Sequence, residues 1–245
     1  MSATTNTLGN GTTKRSSPAA FSDDAQNSIR LGRHGEQFML NAADRRQMAN
    51  SGFYFQALTA TPGTGIIDHA SVTSYDATKP CLHIKNTATE AEGTRIILDR
   101  LKKLVSVAGA AATSFRYEWR VDNVSRYTSG GTQLVARKPN MDASGVGKAL
   151  IYTGAIIAPA ASTDERIISQ GVLRQGLGAA GDEFNFIFGG DPQFALTPLT
   201  TVIAKHVIDV APIVLGPGDT ALLYVYGASQ TTALTTEIEL GYWEN

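Results

Sequence analysis

Short segments with a period of two run from about Gly52 to the last residue, Asn245, and clusters of Gly, Pro, Asn and Asp separate them. In the clearest segment, residues 114–122, aromatic or aliphatic residues alternate with charged ones. This alternation places the two sets of side chains on opposite faces of a β-strand. We therefore expect a core face formed by Phe115, Tyr117, Trp119 and Val121, and a face in water formed by Arg116, Glu118, Arg120 and Asp122.

Six further segments predict strands: residues 52–58, 95–107, 149–157, 183–188, 221–226 and 237–243. Residues 95–107 also fit a helical stripe, but the Val-Ser-Val ending and the flanking strands favour a long, bulged strand. Residues 221–226 are apolar at every position. We expect such a strand to be central in a sandwich or covered by another subunit.

About eight to ten strand-like segments separated by turn residues are typical of an antiparallel sandwich. The chain has 245 residues, enough to bury a core without disulfides or a structural metal. It shows neither heptads nor a fixed longer repeat. We predict an all-β fold, a two-sheet antiparallel sandwich of jelly-roll type, with residues 31–245 forming a single domain.

The first 30 residues are dominated by Ser, Thr, Asn, Gly and Ala, with Phe21 as their only aromatic residue. Such a composition buries too little apolar surface to offset the entropy of ordering. It predicts a flexible N-terminal arm, either a disordered leader or an extended arm that orders on a neighbouring subunit. Residues 36–50 carry a weak helical stripe and predict one short helix.

The charge balance disfavours two classes of partner. The 21 Lys and Arg residues nearly match the 22 Asp and Glu residues, so the formal charge is −1. No strong field is left to attract nucleic acid or an anionic membrane. The chain also has neither a secretory signal pattern nor an apolar run of about 20 residues. We expect a soluble protein made in the cytoplasm.

The residue types that hold metals or activate nucleophiles are scattered. His34, His69, His83 and His206 lie in four separate segments, and Cys81 is the single cysteine. A cupin-type metal enzyme is the enzymatic alternative, because the turn at residues 215–219 resembles the Pro-Gly-Asp turn of that family. The His-x-His pair and the later His of a cupin are missing here. His83 and Cys81 share one face of the predicted strand, yet about 6.5 Å separates such positions. We read both as buried structural residues.

Other candidates have simpler interpretations. The carboxylate pairs at residues 23–24, 90 and 92, 164–165, 182–183, and 237 and 239 fit solvated turns or polar strand faces. The glycines at 130–131, 189–190, 171, 176 and 178 match no phosphate-binding fingerprint, so we read them as turn glycines. Arg137, Lys138 and Lys148 form at most a local basic patch on a turn-rich excursion between residues 129 and 148. We predict no catalytic, cofactor-binding or metal-binding residues, and no enzyme.

Several short motifs between about residues 80 and 226 recur in one class of proteins. They are Pro80 to Thr87, Thr94 to Leu98, Ser129 to Val135 with Lys138 to Met141, and Leu215 to Asp219. In this series the chain resembles β-rich, jelly-roll-like virion structural proteins of tailed bacteriophages. The resemblance implies a homo-oligomer, possibly a trimer, that binds the major capsid protein or other virion proteins. The implied location is the virion, assembled in the host cytoplasm.

Two functional hypotheses follow. The first is a capsid decoration or cement protein, with a neck or tail component close behind; its packing anchors would be Phe115, Tyr117, Trp119, Phe186, Tyr224 and Trp243. The second is a glycan-binding sandwich used in host adsorption. Exposed aromatic residues would then act as platforms for sugars, and the candidates are Tyr127, Tyr152 and Tyr242.

Overall fold

A computed structural model describes residues 49–69, 72–110, 114–143, 145–175, 179–189, 205–228 and 230–245. The predicted arm lies outside these residues. So does the predicted helix, except for Ala49 and Asn50, which are helical. The described residues form fourteen strands: β1 (Tyr54–Leu58), β2 (Ile66–Ile67), β3 (Leu82–Asn86), β4 (Ile96–Val107), β5 (Ser114–Asp122), β6 (Ser129–Leu134), β7 (Ala136–Arg137), β8 (Ala149–Ile157), β9 (Arg166–Gln175), β10 (Glu183–Phe188), β11 (Lys205–Val210), β12 (Val214–Leu215), β13 (Thr220–Gly227) and β14 (Thr235–Glu244).

The strands form two sheets that pack as a sandwich. The first sheet has the order β11-β10-β4-β14-β1-β7, with β12 on β4 and β2 on β14. The second sheet has the order β6-β8-β3-β13-β5-β9. The strand pairs are antiparallel except for β10 and β11, which run parallel. The prediction of an all-β, two-sheet fold is confirmed.

Eight of these strands show a jelly-roll order. Taken along the chain they are β1, β3, β4, β5, β9, β10, β13 and β14. The first pairs with the eighth, the second with the seventh, the third with the sixth and the fourth with the fifth. This is a long hairpin folded over on itself, with alternate strand pairs in opposite sheets. The remaining six strands, among them the nine-residue β8, lie beside these eight in the two sheets.

Aromatic residues from the two sheets meet in the core. Trp119 of β5 contacts Phe186 and Phe188 of β10 edge to face, with centroid distances of 5.8 and 5.1 Å. Phe115 similarly lies 5.9 Å from Phe184. Such pairs add roughly 0.5–1.5 kcal/mol each to the burial of their area. Five of the six predicted packing anchors are buried. The sixth, Trp243, is half-buried beside Tyr54, at a centroid distance of 6.4 Å.

Residues 95–107 fitted both a helix and a strand, and the structure shows strand β4 at residues 96–107. It pairs with β14 on one side and with β10 on the other, so both of its edges make ladder hydrogen bonds. Two register shifts against β14 confirm that the pairing is bulged. The edge strand β9 likewise has two shifts against β5. Bulges of this kind bend a strand and increase its twist.

The excursion between residues 129 and 148 contains more structure than its turn residues predict. Strand β6 pairs with β8, and β7 pairs with β1. Gly130 and Gly131 therefore lie in a strand rather than in a turn, with φ values of 78° and 68°. A Cβ on Gly130 would lie 2.3 Å from the carbonyl oxygen of Ala155. The two glycines permit a bulge that other residues would block.

Candidate functional site

One buried arginine holds three loops on the outer face of the second sheet. Arg126, in the loop after β5, donates hydrogen bonds to Asp122 at 2.8 Å and to Glu165 at 2.5 Å. It also donates to the backbone oxygens of Ala77, at 2.9 Å, and Pro159, at 3.1 Å. The side chains of Arg126 and Asp122 are fully buried. These contacts join the segments before β3, after β5 and before β9.

A second arginine extends this arrangement. Arg120 binds Glu118 at 2.7 Å and Glu165 at 2.5 Å, and its guanidinium carbon lies 3.9 Å from the ring centroid of Tyr75. Tyr226 donates to the other oxygen of Glu118 at 2.8 Å. We call Glu118, Arg120, Asp122, Arg126 and Glu165 the arginine network. Burial opposes ionisation of Asp122, but hydrogen bonds from Ser162 and Arg126 outweigh it and lower the pKa of this carboxyl.

The structure corrects one expectation and decides another. Glu118 and Asp122, expected in water, are buried. Strand β13 is central in the second sheet, which is the first of its two predicted alternatives, and its outward side chains Leu222 and Tyr224 are buried. Tyr224, for example, donates to the backbone oxygen of Ala77 at 3.0 Å. Alternation predicts which face a residue lies on; it does not predict that loops return over that face.

His83 lies buried in the same outer face, under a tyrosine pair. Tyr127 and Tyr152 stack with their centroids 4.1 Å apart, and the His83 ring lies 5.5 Å from Tyr127. Neither ring nitrogen of His83 has a hydrogen-bond partner among the described residues. Burial, with smaller contributions from Lys85 and Arg126, lowers the pKa of His83 to about 4. The imidazole is therefore neutral at ordinary pH.

A lysine lies inside the sandwich. Lys103 of β4 has the same inward orientation as Leu101 and Val105, and its side chain is 0 % exposed. Its Nζ atom lies 2.9 Å from Oδ2 of Asp68 and 2.8 Å from Oγ1 of Thr236. Burial is the largest single effect and lowers the pKa of Lys103, but the charge of Asp68 and smaller contributions together outweigh burial and raise the pKa. We call Lys103, Asp68 and Thr236 the interior lysine cluster.

The first sheet carries an open cleft of about 740 Å³ on its outer face. Its floor consists of outward residues of β1, β14 and β4, because Leu58 pairs with Glu239 and Leu104 pairs with Glu237. Residues 59–66 and 132–137 supply the walls. Leu58 is 48 % exposed and Val135 is 66 % exposed. The described lining contains no aromatic side chain.

The charges of the cleft divide into paired and unpaired groups. Arg100, beside the cleft, forms an ion pair with Glu239, and Lys102 forms one with Glu183 at 3.6 Å. Arg137 and Glu237 line the cleft and form no ion pair with any described residue. Among the described residues, the cleft thus offers one charge of each sign without an ion-pair partner, beside exposed apolar side chains.

The remaining histidines, and the cysteine, do not come together in the described part of the chain. His69 lies 2.5 Å from the Ile156 carbonyl oxygen, and His206 stacks on Phe184; His34 lies outside the described residues. Cys81 belongs to the core, so it does not share the outer face of His83. Burial raises the pKa of the Cys81 thiol to about 12. Cys81 precedes β3, so the strand's alternation does not extend to it. No three described His, Cys, Asp or Glu residues are placed to hold a metal ion.

The members of the carboxylate pairs have different surroundings, and the ion pairs they form involve separate cations. Glu92 pairs with Lys148 on the surface, and Glu239 with Arg100. Asp182 is buried and binds Arg174 at 2.5 Å, so a solvated turn is the wrong reading for it. Asp23 and Asp24 lie outside the described residues.

The basic loop is not a patch. Lys148 binds Glu92, Arg137 lines the cleft, and Lys138 lies over the Phe55 ring at 5.2 Å from its centroid. The three cationic side chains thus make contacts in three separate parts of the molecule. Of the proposed sugar platforms, Tyr127 and Tyr152 stack on each other, and Tyr242 is fully buried and cannot bind a sugar.

Sequence reasoning missed Arg126, the interior lysine cluster and the cleft. For Lys103 a signal was present, because it occupies an inward position between Leu101 and Val105. The cleft depends on loops whose paths have no sequence signature. No helix among the described residues is long and apolar enough to span a membrane.

Comparison with protein-family models finds no match for the chain, and comparisons with curated proteins and with solved structures find none either. The resemblance to virion proteins therefore stays a prediction, and the function must be argued from the residues themselves.

Proposed function

We propose that this protein is a non-enzymatic structural component of a bacteriophage virion. In this proposal it associates with copies of itself and binds the capsid shell as a decoration or cement protein. The short motifs between residues 80 and 226 support it, and so does the jelly-roll order, which is common in viral capsid domains. A neck or tail component would use the same surfaces.

The difference between the two outer faces carries the proposal. Around Arg126 the outer face of the second sheet is covered by the chain's own loops, and its β9 edge exposes the apolar residues Ile167 and Val172. The first sheet instead exposes Leu58 and Val135 in an open cleft. Arg137 and Glu237 add unpaired charges of both signs there. A surface that carries both signs can be complementary to a copy of itself. Repeated symmetric contacts need only modest strength each, because their effects multiply in an assembly.

The direct test is the mass of the protein in solution, measured by sedimentation over a range of concentrations. We expect a homo-oligomer, with the order of symmetry read from the mass. Leu58→Asp and Val135→Asp should shift the protein towards monomer. Met141→Asp is the matched control, because Met141 is 94 % exposed and lies outside the cleft. A wild-type protein that stays monomeric and does not co-sediment with undecorated capsid shells would contradict the proposal.

Exchanging the charges of Arg137 and Glu237 tests whether these residues face each other across the contact between two copies of the chain. Arg137→Glu and Glu237→Arg should each weaken association by placing like charges opposite each other. The double variant should recover association, since it restores both signs with their positions exchanged. If the two single changes have additive effects and the double variant is the weakest of all, these residues do not face each other.

The stacked tyrosines favour glycan binding as a second function. Tyr127 and Tyr152 are both half-buried and form an aromatic surface beside the loop that carries Arg126. The cleft fits this function less well, since its described lining lacks aromatic side chains. A glycan array with wild type and Tyr152→Ala separates the two functions: a cement protein shows no ligand, and a lectin-like module loses its ligand in the variant. Stoichiometric bound metal in the purified protein would instead revive the cupin-type enzyme.

A further inference from the structure

The interior lysine cluster holds an amine against a carboxyl group in a dry environment. Lys103 Nζ lies 2.9 Å from Asp68 Oδ2, and the two side chains are 0 % and 7 % exposed. Despite that distance, Oδ2 has no well-aligned hydrogen bond with any described residue. The amine nitrogen thus lies within contact distance of Oδ2, but its hydrogens are not aligned with that oxygen.

Thr236 connects the two groups from the other side. Its Oγ1 atom accepts from Lys103 Nζ at 2.8 Å and donates to Asp68 Oδ1 at 3.3 Å. One hydroxyl group can therefore take a proton from the amine and pass another to the carboxyl oxygen. A proton relay of this kind needs both contacts at once, and the Thr236 side chain makes both.

Burial makes the ion pair costly and a neutral product favourable. Taking two charges out of water costs several kcal/mol per ion, and a neutral product carries no such cost. Holding two reacting groups in contact also raises their effective concentration to roughly 10⁵–10⁸ M in well-oriented cases. Both effects shift the equilibrium between the separate groups and their condensation product towards the product.

We propose that Lys103 and Asp68 condense into an amide bond that links β4 to the segment after β2. The Lys103 ammonium first gives one proton to the carboxylate, directly or through Thr236. The free amine then attacks Cγ of Asp68, and a bond forms between Nζ and Cγ. One carboxyl oxygen leaves with two hydrogens as water, and the amide nitrogen keeps one hydrogen. No oxidant, metal or cofactor enters the balance.

The ion pair predominates before the reaction, because the charge of Asp68 raises the pKa of Lys103. The neutral pair is then a minor species, and we expect the bond to form slowly after folding. Freshly synthesised protein should contain both forms, and the linked fraction should increase with time. Thr236→Val should slow this increase at least tenfold, since the relay is lost.

The test is the intact mass of the full chain, followed by mapping of the linkage. We expect a mass lower than that of the sequence by one water molecule. We also expect a branched peptide joining Asp68 to Lys103, with no tryptic cleavage after Lys103. Lys103→Met and Asp68→Ala should restore the full mass. Should either variant fail to fold, wild type decides alone, because an unchanged mass overturns the proposal.

An exposed pair in the same molecule serves as the control. Lys79 lies 3.2 Å from Asp76, but the two side chains are 45 % and 35 % exposed. Water stabilises that ion pair, so we expect no peptide linking these two residues. Loss of water without a branched peptide would indicate a succinimide elsewhere and would also overturn the proposal. A link at both pairs would show that proximity suffices and that burial is not the cause.

Discussion

The two outer faces of this sandwich differ in how far their charged side chains are buried. On the second sheet the arginine network is buried under loops, and each of its carboxylates is held by a guanidinium group. On the first sheet Arg100 and Glu239 pair at the surface, with side chains 41 % and 25 % exposed. A buried charge depends on its partner, whereas an exposed charge has water as an alternative. The comparison teaches that the region around Arg126 belongs to the folded core, whereas the cleft on the first sheet leaves apolar side chains exposed to solvent.

Removing Arg126 should break the closed face most severely. Arg126→Met leaves Asp122 and Glu165 without their shared cation, and a buried charge without its partner costs about 3–5 kcal/mol. The free energy of unfolding in urea measures this loss. Arg116→Met is the control, because Arg116 is exposed on the same sheet, and it should change stability by less than about 0.5 kcal/mol. Equal effects of the two changes would show that the arginine network does not hold the loops.

Acid should destabilise the closed face through His83. The folded pKa of about 4 lies below the ordinary histidine value of 6.5, so the unfolded chain binds a proton more readily. The stability that depends on neutral His83 is complete above pH 6.5 and is lost as the pH falls through 4, with a total of about 3 kcal/mol. Unfolding curves between pH 7 and pH 4 should show this loss. His83→Phe should remove it, whereas His206→Phe on the surface should not; parallel curves for wild type and His83→Phe would refute the assignment.

A single hydroxyl group tests how tightly the loop before β3 is held. Tyr224→Phe removes the hydrogen bond to Ala77 and keeps the ring that contacts Tyr75 at 5.0 Å. Ala77 still accepts from Arg126. We therefore expect a cost of about 1 kcal/mol in unfolding free energy, typical of one buried hydrogen bond. A cost near that of Arg126→Met would mean that the two side chains act as one unit.

The open face should show the smallest effect. Glu239→Gln removes the ion pair with Arg100, and exposed pairs contribute about 0.2–1 kcal/mol. The difference between wild type and the variant should shrink further at high salt, because surface charges are screened. Thermal unfolding at low and high salt measures both quantities. A large and salt-independent loss would mean that this face is buried in the oligomer, which would sharpen the comparison.

The sequence predicts where the strands lie, but it does not predict which strand faces are covered by loops. The bounds of β5 and β10 match the predicted segments, because alternation along a strand is a local property. The closed face depends on loops that return from residues 72–80 and 158–165, and no local pattern encodes such a return. Glu118 and Asp122 therefore looked like solvated residues. The cleft was missed for the same reason, since its walls come from segments far apart in the sequence.

The register shifts of β9 bear on how copies of this chain can meet. In the described second sheet β9 is one of the two edge strands, and its ladder with β5 is interrupted in two places. An incoming strand needs a straight, regular row of backbone donors and acceptors, and bulges deny it one. Two copies of the chain would therefore be unable to form a continuous sheet along this border. In the proposed assembly, contacts at this edge would come from side chains, so individual residues would set their geometry.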